Sequence, residues 1–151
     1  MKPAQIILIE DNPADVMLVK LALHEAGIAY ELTHFETGVE AAERLCESDG
    51  GEALRPNAIL LDLNTPRSDG FEVLGKLIRS PMLAGVPIAV FTSSRARVDR
   101  TRAQLQGARY IEKPSQLLDF FSTVARTVNE MLAEQASSGH QKQRGALDAV
   151  R

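Results

Sequence analysis

The chain has 151 residues, a formal net charge of −3 and one cysteine, so it suits one domain but supports neither an internal disulfide nor a cysteine-based zinc site. No apolar run approaches the ~20 residues of a membrane span, and residues 1–6 lack the features of a secretory signal. We therefore expect a cytoplasmic protein with no membrane partner, and the mildly acidic charge argues against direct binding of nucleic acid.

Five short runs in the sequence predict β-strands. The first of them (IILI) is continuously apolar, as is typical of a strand that is buried on both faces of a sheet. In chain order the predicted strands cover residues 6–9, 29–35, 58–63, 86–91 and 108–111.

Helical patterns separate these strands. The first helix begins at Pro13, which suits a first turn, and either Asn12 or Asp11 can cap it. The next three helices are predicted over 38–46, 71–79 and 96–106. Ser115 is the predicted cap of the last helix, whose apolar residues recur at helical spacing. They are Leu117, Phe120, Phe121, Val124, Val128 and Met131.

The alternation of buried strands with helices predicts an α/β protein of (βα)5 form. Right-handed crossovers then give a doubly wound, five-stranded parallel sheet with helices on both faces. From about Gln135 the sequence is polar and rich in small residues. We therefore predict one domain over 1–134 and a flexible or partner-contacting C-terminal tail over 135–151, with a short helical end at 146–150.

Polar residues lie at the carboxyl ends of four of the predicted strands, either in the last residues of the strand or directly after it. In such sheets the functional site lies at the carboxyl ends of the strands, so three carboxylates, a hydroxyl and an ammonium are expected to meet there. Mutual repulsion of the carboxylates calls for a hard cation such as Mg²⁺, and a carboxylate can accept a phosphoryl group. Mg²⁺, the ammonium and the hydroxyl would then stabilise the transferring oxygens. The residues are Glu10, Asp11, Asp62, Thr92 and Lys113.

These motifs together resemble the receiver domain of two-component response regulators, the CheY-like branch of the flavodoxin-like folds. The resemblance covers residues 5 to about 128. It implies the strand order 2-1-3-4-5, which the pattern of elements does not establish. The matching motifs are Ile-Glu-Asp-Asn-Pro at 9–13, Leu-Leu-Asp-Leu-Asn at 60–64, Pro66 with Asp69-Gly70, Phe-Thr-Ser-Ser at 91–94 and Tyr-Ile-Glu-Lys-Pro at 110–114.

The resemblance implies a role for each matching residue. Asp62 is the implied phosphoacceptor, taking the phosphoryl group from a phosphohistidine of a sensor histidine kinase. Thr92 and Lys113 contact the phosphoryl oxygens, and Tyr110 is the aromatic switch residue. The implied ligands of Mg²⁺ are Glu10, Asp11, Asp62 and the backbone carbonyl of Asn64.

More narrowly, the sequence is similar to the single-domain regulators that partner phytochrome-type histidine kinases. The supporting features are the Glu-Asp-Asn-Pro-Ala-Asp run at 10–15 and a longer loop before the third strand. Members of that group tend to form dimers through the side made by the fourth helix, fifth strand and fifth helix, or through the C-terminal region. Met131 and Leu132 lie beyond the usual end of the domain, and we expect them to pack on a second chain because they lack a sheet to cover.

The expected protein is a phosphoacceptor signalling protein and not an enzyme; its output comes through protein contacts, or it serves as a phosphate shuttle or sink. A phosphohydrolase with an aspartate nucleophile is one alternative, but such enzymes typically carry a second aspartate where this chain has Asn64. An unphosphorylated scaffold is another, and the complete set of site residues argues against it. A nucleotide-binding domain fits poorly, because residues 10–14 form no glycine-rich loop.

A group of arginines in the second half of the chain has two interpretations. By sequence its only nearby acid is Asp99. The group is either a solvated helix face or a basic face that docks an acidic partner or a second copy of the chain. The arginines are Arg95, Arg97, Arg100, Arg102 and Arg109.

Overall fold

Strands and helices alternate along the chain as predicted. The computed structural model describes residues 2–46 and 55–149, with side chains up to 137; the loop before the third strand lies mostly outside these residues. The strands are β1 (Ala4–Ile9), β2 (Tyr30–Phe35), β3 (Ala58–Leu61), β4 (Ile88–Thr92) and β5 (Arg109–Glu112). The α-helices are α1 (Pro13–Glu25), α2 (Gly38–Cys46), α3 (Gly70–Arg79), α4 (Arg97–Leu105) and α5 (Leu117–Ala149), and a 3₁₀ turn covers Pro81–Leu83.

All strand pairs are parallel and follow the order β2-β1-β3-β4-β5. The predicted fold and the strand order implied by the resemblance are therefore confirmed. The order reverses between β1 and β3, and such a reversal opens a crevice at the carboxyl ends of the strands.

Helices cover both faces of the sheet. Alternate side chains of β1 point to opposite faces, so Ile6 and Leu8 join the core beneath α1 and α5. Ile7 and Ile9 join the core beneath α2, α3 and α4. All four are at most 1% exposed, which explains why the central strands read as continuous apolar runs.

The ends of two helices test the predicted caps. The Asn12 side chain accepts a hydrogen bond from the Ala14 backbone N–H at 2.9 Å, so it is the cap of α1. The predicted cap of the last helix was wrong. That helix begins at Leu117, and the Gln116 carbonyl accepts its first backbone bond, from Phe120; Gln116 thus takes the cap position.

The last helix differs most from the prediction. Its backbone is helical through Ala149, where the sequence predicted a flexible tail. A helix that already exists propagates at little cost, and residues 140–147 contain good helix formers. None of the described helices is long and apolar enough to cross a membrane. The domain boundary at residue 134 stays a prediction.

The inner face of α5 extends further along the sheet than predicted. Phe120, Val124, Val128 and Met131 are at most 3% exposed, whereas Leu117 is exposed and does not belong to the stripe. Met131 lies in the core beneath α1 and α5, with Leu132 packed against it. The expectation that these two residues lack a sheet to cover was wrong, because α5 continues along the domain's own sheet.

Two hydrogen bonds fix this part of α5 to the segment before β3. The Asn57 amide donates to Gln135 Oε1 at 2.6 Å, and Gln135 Nε2 donates to the Pro56 carbonyl at 3.3 Å. The helix therefore stays in contact with the domain as far as Gln135.

Candidate functional site

The polar residues predicted to converge do meet at the carboxyl edge of the sheet. Glu10 follows β1, Asp62 follows β3, Thr92 ends β4 and Lys113 follows β5. Hydrogen bonds connect Lys113 directly to the ends of β1 and β3. The crevice predicted from strand order thus contains the charged groups predicted from the motifs.

Three carboxylates form the acidic part of the site. Glu10, Asp11 and Asp62 each place a carboxylate oxygen within 4.8 Å of the others. Glu10 and Asp62 are 1% and 6% exposed, while Asp11 is open to solvent. A donor set made only of oxygen, open on one side, fits a hard divalent cation that keeps some of its water.

A single ammonium compensates part of this negative charge. Lys113 Nζ donates to Glu10 at 2.7 Å, to Asp15 at 2.8 Å and to Asp62 at 3.1 Å. Asp15 was not identified from the sequence as a site residue. Its place in the first turn of α1, directly after a strand that ends at the site, is the signal that could have revealed it.

Burial, hydrogen bonds and neighbouring charges shift the pKa values of two groups in the site. Burial raises the pKa of Glu10 from its ordinary 4.5 to about 7; the nearby Asp62 charge adds to this, and the hydrogen bond from Lys113 opposes it. Burial alone would lower the pKa of Lys113, but hydrogen bonds to Asp15 and Glu10 outweigh it, so that pKa lies above its usual value. The ammonium therefore stays charged at every physiological pH.

Thr92 connects the site to the loop after β4. Its hydroxyl oxygen, fully buried, accepts hydrogen bonds from Asn64 Nδ2 at 3.2 Å and from the Ser94 N–H at 3.3 Å. Asn64 in turn donates its backbone N–H to Asp62 at 3.0 Å. A continuous path of hydrogen bonds thus runs from Asp62 through Thr92 to Ser94.

Tyr110 extends this path to β5. Its ring is 5% exposed, and its hydroxyl donates to the Ser94 carbonyl at 2.8 Å. The Arg100 guanidinium of α4 lies 5.0 Å from the ring centroid, a distance typical of a cation–π contact. Tyr110 is therefore buried, with its side chain held between the β4–α4 loop and α4.

The arginine group has more acidic neighbours than the sequence indicated. Arg95 pairs with Glu112 at 2.7 Å, and Arg109 pairs with Glu130 at 3.0 Å and Glu134 at 2.8 Å. The expectation that Asp99 is the only opposing acid was wrong, because β5 and α5 supply acids that are distant in sequence.

The sequence-family model for the response regulator receiver domain matches residues 6–125 of this chain. The chain belongs to this family. Phosphoryl acceptance is the activity that the family implies, and receiver domains bind Mg²⁺ or Mn²⁺ at an acidic site.

Individual relatives support the same assignment. Response regulator Rcp1 of Synechocystis is 37% identical over 124 residues, covering 81% of this chain and 84% of Rcp1. A Methanothrix harundinacea protein named "Probable methanogenesis regulatory protein FilR2" is 35% identical over 130 residues, covering 85% of this chain and 81% of FilR2.

Solved structures agree with the fold. The phosphorylated cyanobacterial phytochrome response regulator RcpA superposes with a TM-score of 0.76 at 33% identity, covering 83% of this chain and 91% of RcpA. The Mn²⁺-bound form of Rcp1 superposes with a TM-score of 0.73 at 36% identity, covering 82% of this chain and 90% of Rcp1.

Proposed function

We propose that this receiver acts in the cytoplasm and accepts a phosphoryl group on Asp62 from a phosphohistidine of a sensor histidine kinase. The single observation that carries the proposal is the setting of Asp62. Its carboxylate is nearly buried, receives Lys113 Nζ at 3.1 Å and lies beside Glu10 and Asp11. Such a carboxylate is surrounded by the groups that phosphoryl transfer needs.

The transfer itself is a simple displacement. A carboxylate oxygen of Asp62 forms the new P–O bond while the P–N bond of the phosphohistidine breaks. The electron pair of that bond returns to the imidazole, which takes up a proton from solvent. Lys113 and the Thr92 hydroxyl donate hydrogen bonds to the phosphoryl oxygens. Glu10, Asp11, Asp62 and the Asn64 carbonyl would hold a divalent cation, which would supply further positive charge to these oxygens.

Signalling follows from the path between Thr92 and Tyr110. Movement of Thr92 toward a phosphoryl group changes its contact with Ser94, whose carbonyl holds the Tyr110 hydroxyl. The loop and α4 then shift between two pre-existing arrangements. Partner proteins, including a second copy of the chain, recognise one arrangement over the other.

The proposed kinase is of the phytochrome type. The support is the similarity to RcpA, described as a cyanobacterial phytochrome response regulator, at 33% identity over most of both chains. Rcp1, whose structure was solved with Mn²⁺ bound, supports the cation site. Receiver domains partner with sensor histidine kinases, so membership of this family already indicates a kinase of that class as the phosphoryl donor. That the kinase is of the light-sensing type is the more specific part of the proposal.

Intact mass spectrometry tests the proposed function. Wild type and Asp62→Asn are incubated with acetyl phosphate and Mg²⁺, then with a phosphorylated phytochrome-type kinase. We expect a gain of one phosphoryl group on wild type and none on Asp62→Asn. A gain on both proteins would place the phosphate elsewhere. No gain on wild type with either donor would favour the unphosphorylated scaffold.

A further inference from the structure

We propose that Asp15 is a positioning residue of this site, holding the Lys113 ammonium in place for phosphoryl transfer. The proposal deepens the proposed function of Asp62 and rests on it. Lys113 makes contacts with Glu10, Asp15 and Asp62 at 2.7, 2.8 and 3.1 Å. An ammonium has three N–H donors, so each of them has one carboxylate.

The three carboxylates belong to different elements and differ in what else they do. Glu10 and Asp62 are members of the acidic cluster that fits a divalent cation, and Asp15 is not. A cation in that cluster would bind two of the carboxylates that also hold Lys113, those of Glu10 and Asp62. Asp15 is therefore the partner whose bond to the ammonium does not compete with the cation.

Phosphorylation of Asp62 would also change the hydrogen-bond partners of the Lys113 ammonium. The contact to Asp62 is the longest of the three, and it is the one that must change when an oxygen of Asp62 enters a P–O bond. One N–H of Lys113 then turns to a phosphoryl oxygen. Asp15 and Glu10 keep the other two, so the side chain does not leave the site.

Asp15 is itself held firmly. It lies in the first turn of α1, which begins at Pro13 and is capped by the Asn12 side chain. Its side chain is 20% exposed and that of Lys113 is 10% exposed, so water screens their contact only in part. Charge-assisted hydrogen bonds of this kind are roughly twice as strong as neutral ones.

Two substitutions separate positioning from charge alone. Asp15→Asn keeps an oxygen that accepts a hydrogen bond from Lys113, and Asp15→Ala keeps none. Both remove one negative charge from the site. If only charge mattered, the two variants would behave alike. Glu25→Ala is the matched control, because it removes an exposed carboxylate from the other end of α1.

The first readout is the accessibility of Lys113 in the unphosphorylated protein. Each variant is treated briefly with an amine-reactive ester, and labelling of the Lys113 peptide is measured by mass spectrometry. We expect several-fold faster labelling in Asp15→Ala, an intermediate rate in Asp15→Asn and no change in Glu25→Ala. Equal labelling of Asp15→Ala and wild type would overturn the proposal.

The second readout is the rate of mass gain with acetyl phosphate and saturating Mg²⁺. We expect Asp15→Ala to be about tenfold slower than wild type, which corresponds to about 1.4 kcal/mol in the barrier. Asp15→Asn should recover most of the rate. Equal rates for Asp15→Ala and Asp15→Asn, or no loss in either, would contradict a positioning role.

The two readouts fail independently. If wild type gains no phosphoryl group from acetyl phosphate or from the kinase while the labelling order holds, the proposed function of Asp62 fails and the role of Asp15 in holding Lys113 is retained. If wild type is phosphorylated but labelling of Lys113 is the same in all variants, the proposed function of Asp62 is supported and the positioning role of Asp15 is contradicted.

Discussion

Lys113 is the residue on which the charge balance of the site depends. Its ammonium satisfies three carboxylates that come from the end of β1, the first turn of α1 and the end of β3. Breaking a buried ion pair by removing one partner is costly, because the remaining charges stay buried without compensation. The site therefore ties stability to the same side chain that we propose contacts the phosphoryl group.

The stability of a Lys113→Ala variant tests this dependence. Without divalent cations we expect a loss of about 3 kcal/mol in the free energy of unfolding, measured by urea denaturation. Added Mg²⁺ should restore part of it. Lys76→Ala is the control, because its ion pair with Glu72 is exposed and worth about 0–1 kcal/mol. Equal losses of stability in the two variants would show that the charge balance of the site does not depend on Lys113.

The raised pKa of Glu10 predicts a pH-dependent affinity for the cation. In cation-free protein, folding favours protonated Glu10, so this contribution to stability is complete below pH 4.5 and is lost as the pH rises through about 7. A cation needs the ionised carboxylate. Calorimetric affinity for Mg²⁺ should therefore fall between about pH 8 and about pH 6, and Glu10→Gln should flatten the profile. If the Mg²⁺ affinity of Glu10→Gln falls with pH as steeply as that of wild type, the group whose protonation weakens binding is not Glu10.

At the scale of elements, α3 packs closely against the strand end that carries Asp62, the proposed phosphoacceptor. A Cβ atom at Gly70 would lie 2.4 Å from the Leu63 carbonyl oxygen and 2.5 Å from Leu63 Cα. Those atoms are backbone and follow directly after Asp62. The first residue of α3 therefore has to be glycine for the helix to approach this loop.

Gly70→Ala should destabilise the protein by about 1–3 kcal/mol and slow phosphorylation, because the loop after Asp62 must shift. Gly75→Ala is the control within the same helix. A Cβ there meets only the flexible end of Arg79, and alanine favours a helix over glycine by up to about 1 kcal/mol. Thermal unfolding and the mass-gain assay measure both effects. Similar behaviour of the two variants would refute the close approach.

The inner stripe of α5 makes a second prediction at this scale. Met131 is fully buried, so Met131→Ala should cost about 3 kcal/mol in the free energy of unfolding. Leu118 on the same helix is 79% exposed, so Leu118→Ala should change the free energy of unfolding by less than about 0.5 kcal/mol. Denaturation at several protein concentrations checks both. A cost for Met131→Ala that depends on concentration would place Met131 in a dimer interface instead.

At the scale of the whole molecule, the two faces of the sheet are covered and the site occupies one edge. Apolar side chains remain exposed on α4, where Val98 and Leu105 are 75% and 84% exposed. They are two turns apart and lie on one side of the helix. A second copy of the chain that packs on α4, β5 and α5 would cover them.

Sedimentation velocity at tens of micromolar tests the proposed homodimer. We expect a dimer for wild type and a shift toward monomer for Leu105→Asp. A dimer that survives this substitution would assign the contact to the C-terminal part of α5. A wild-type monomer with and without phosphorylation would rule out both forms of the dimer.

The fold and most of the site follow from the sequence alone. Apolar runs alternating with helices allow few topologies, and the carboxyl ends of parallel strands meet at one edge. The order of the elements therefore places Glu10, Asp11, Asp62, Thr92 and Lys113 at one edge of the sheet, and the strand order implied by the resemblance makes them neighbours there.

Other features were decided only by tertiary structure. The contact of Asp15 with Lys113 depends on how α1 is oriented against the β5–α5 loop, which no local pattern specifies. The burial of Met131 depends on how far the sheet extends beneath α5. The partners of Arg109 lie 21 and 25 residues away in sequence. These contacts join elements distant in the chain, and only the packed molecule brings them within reach of one another.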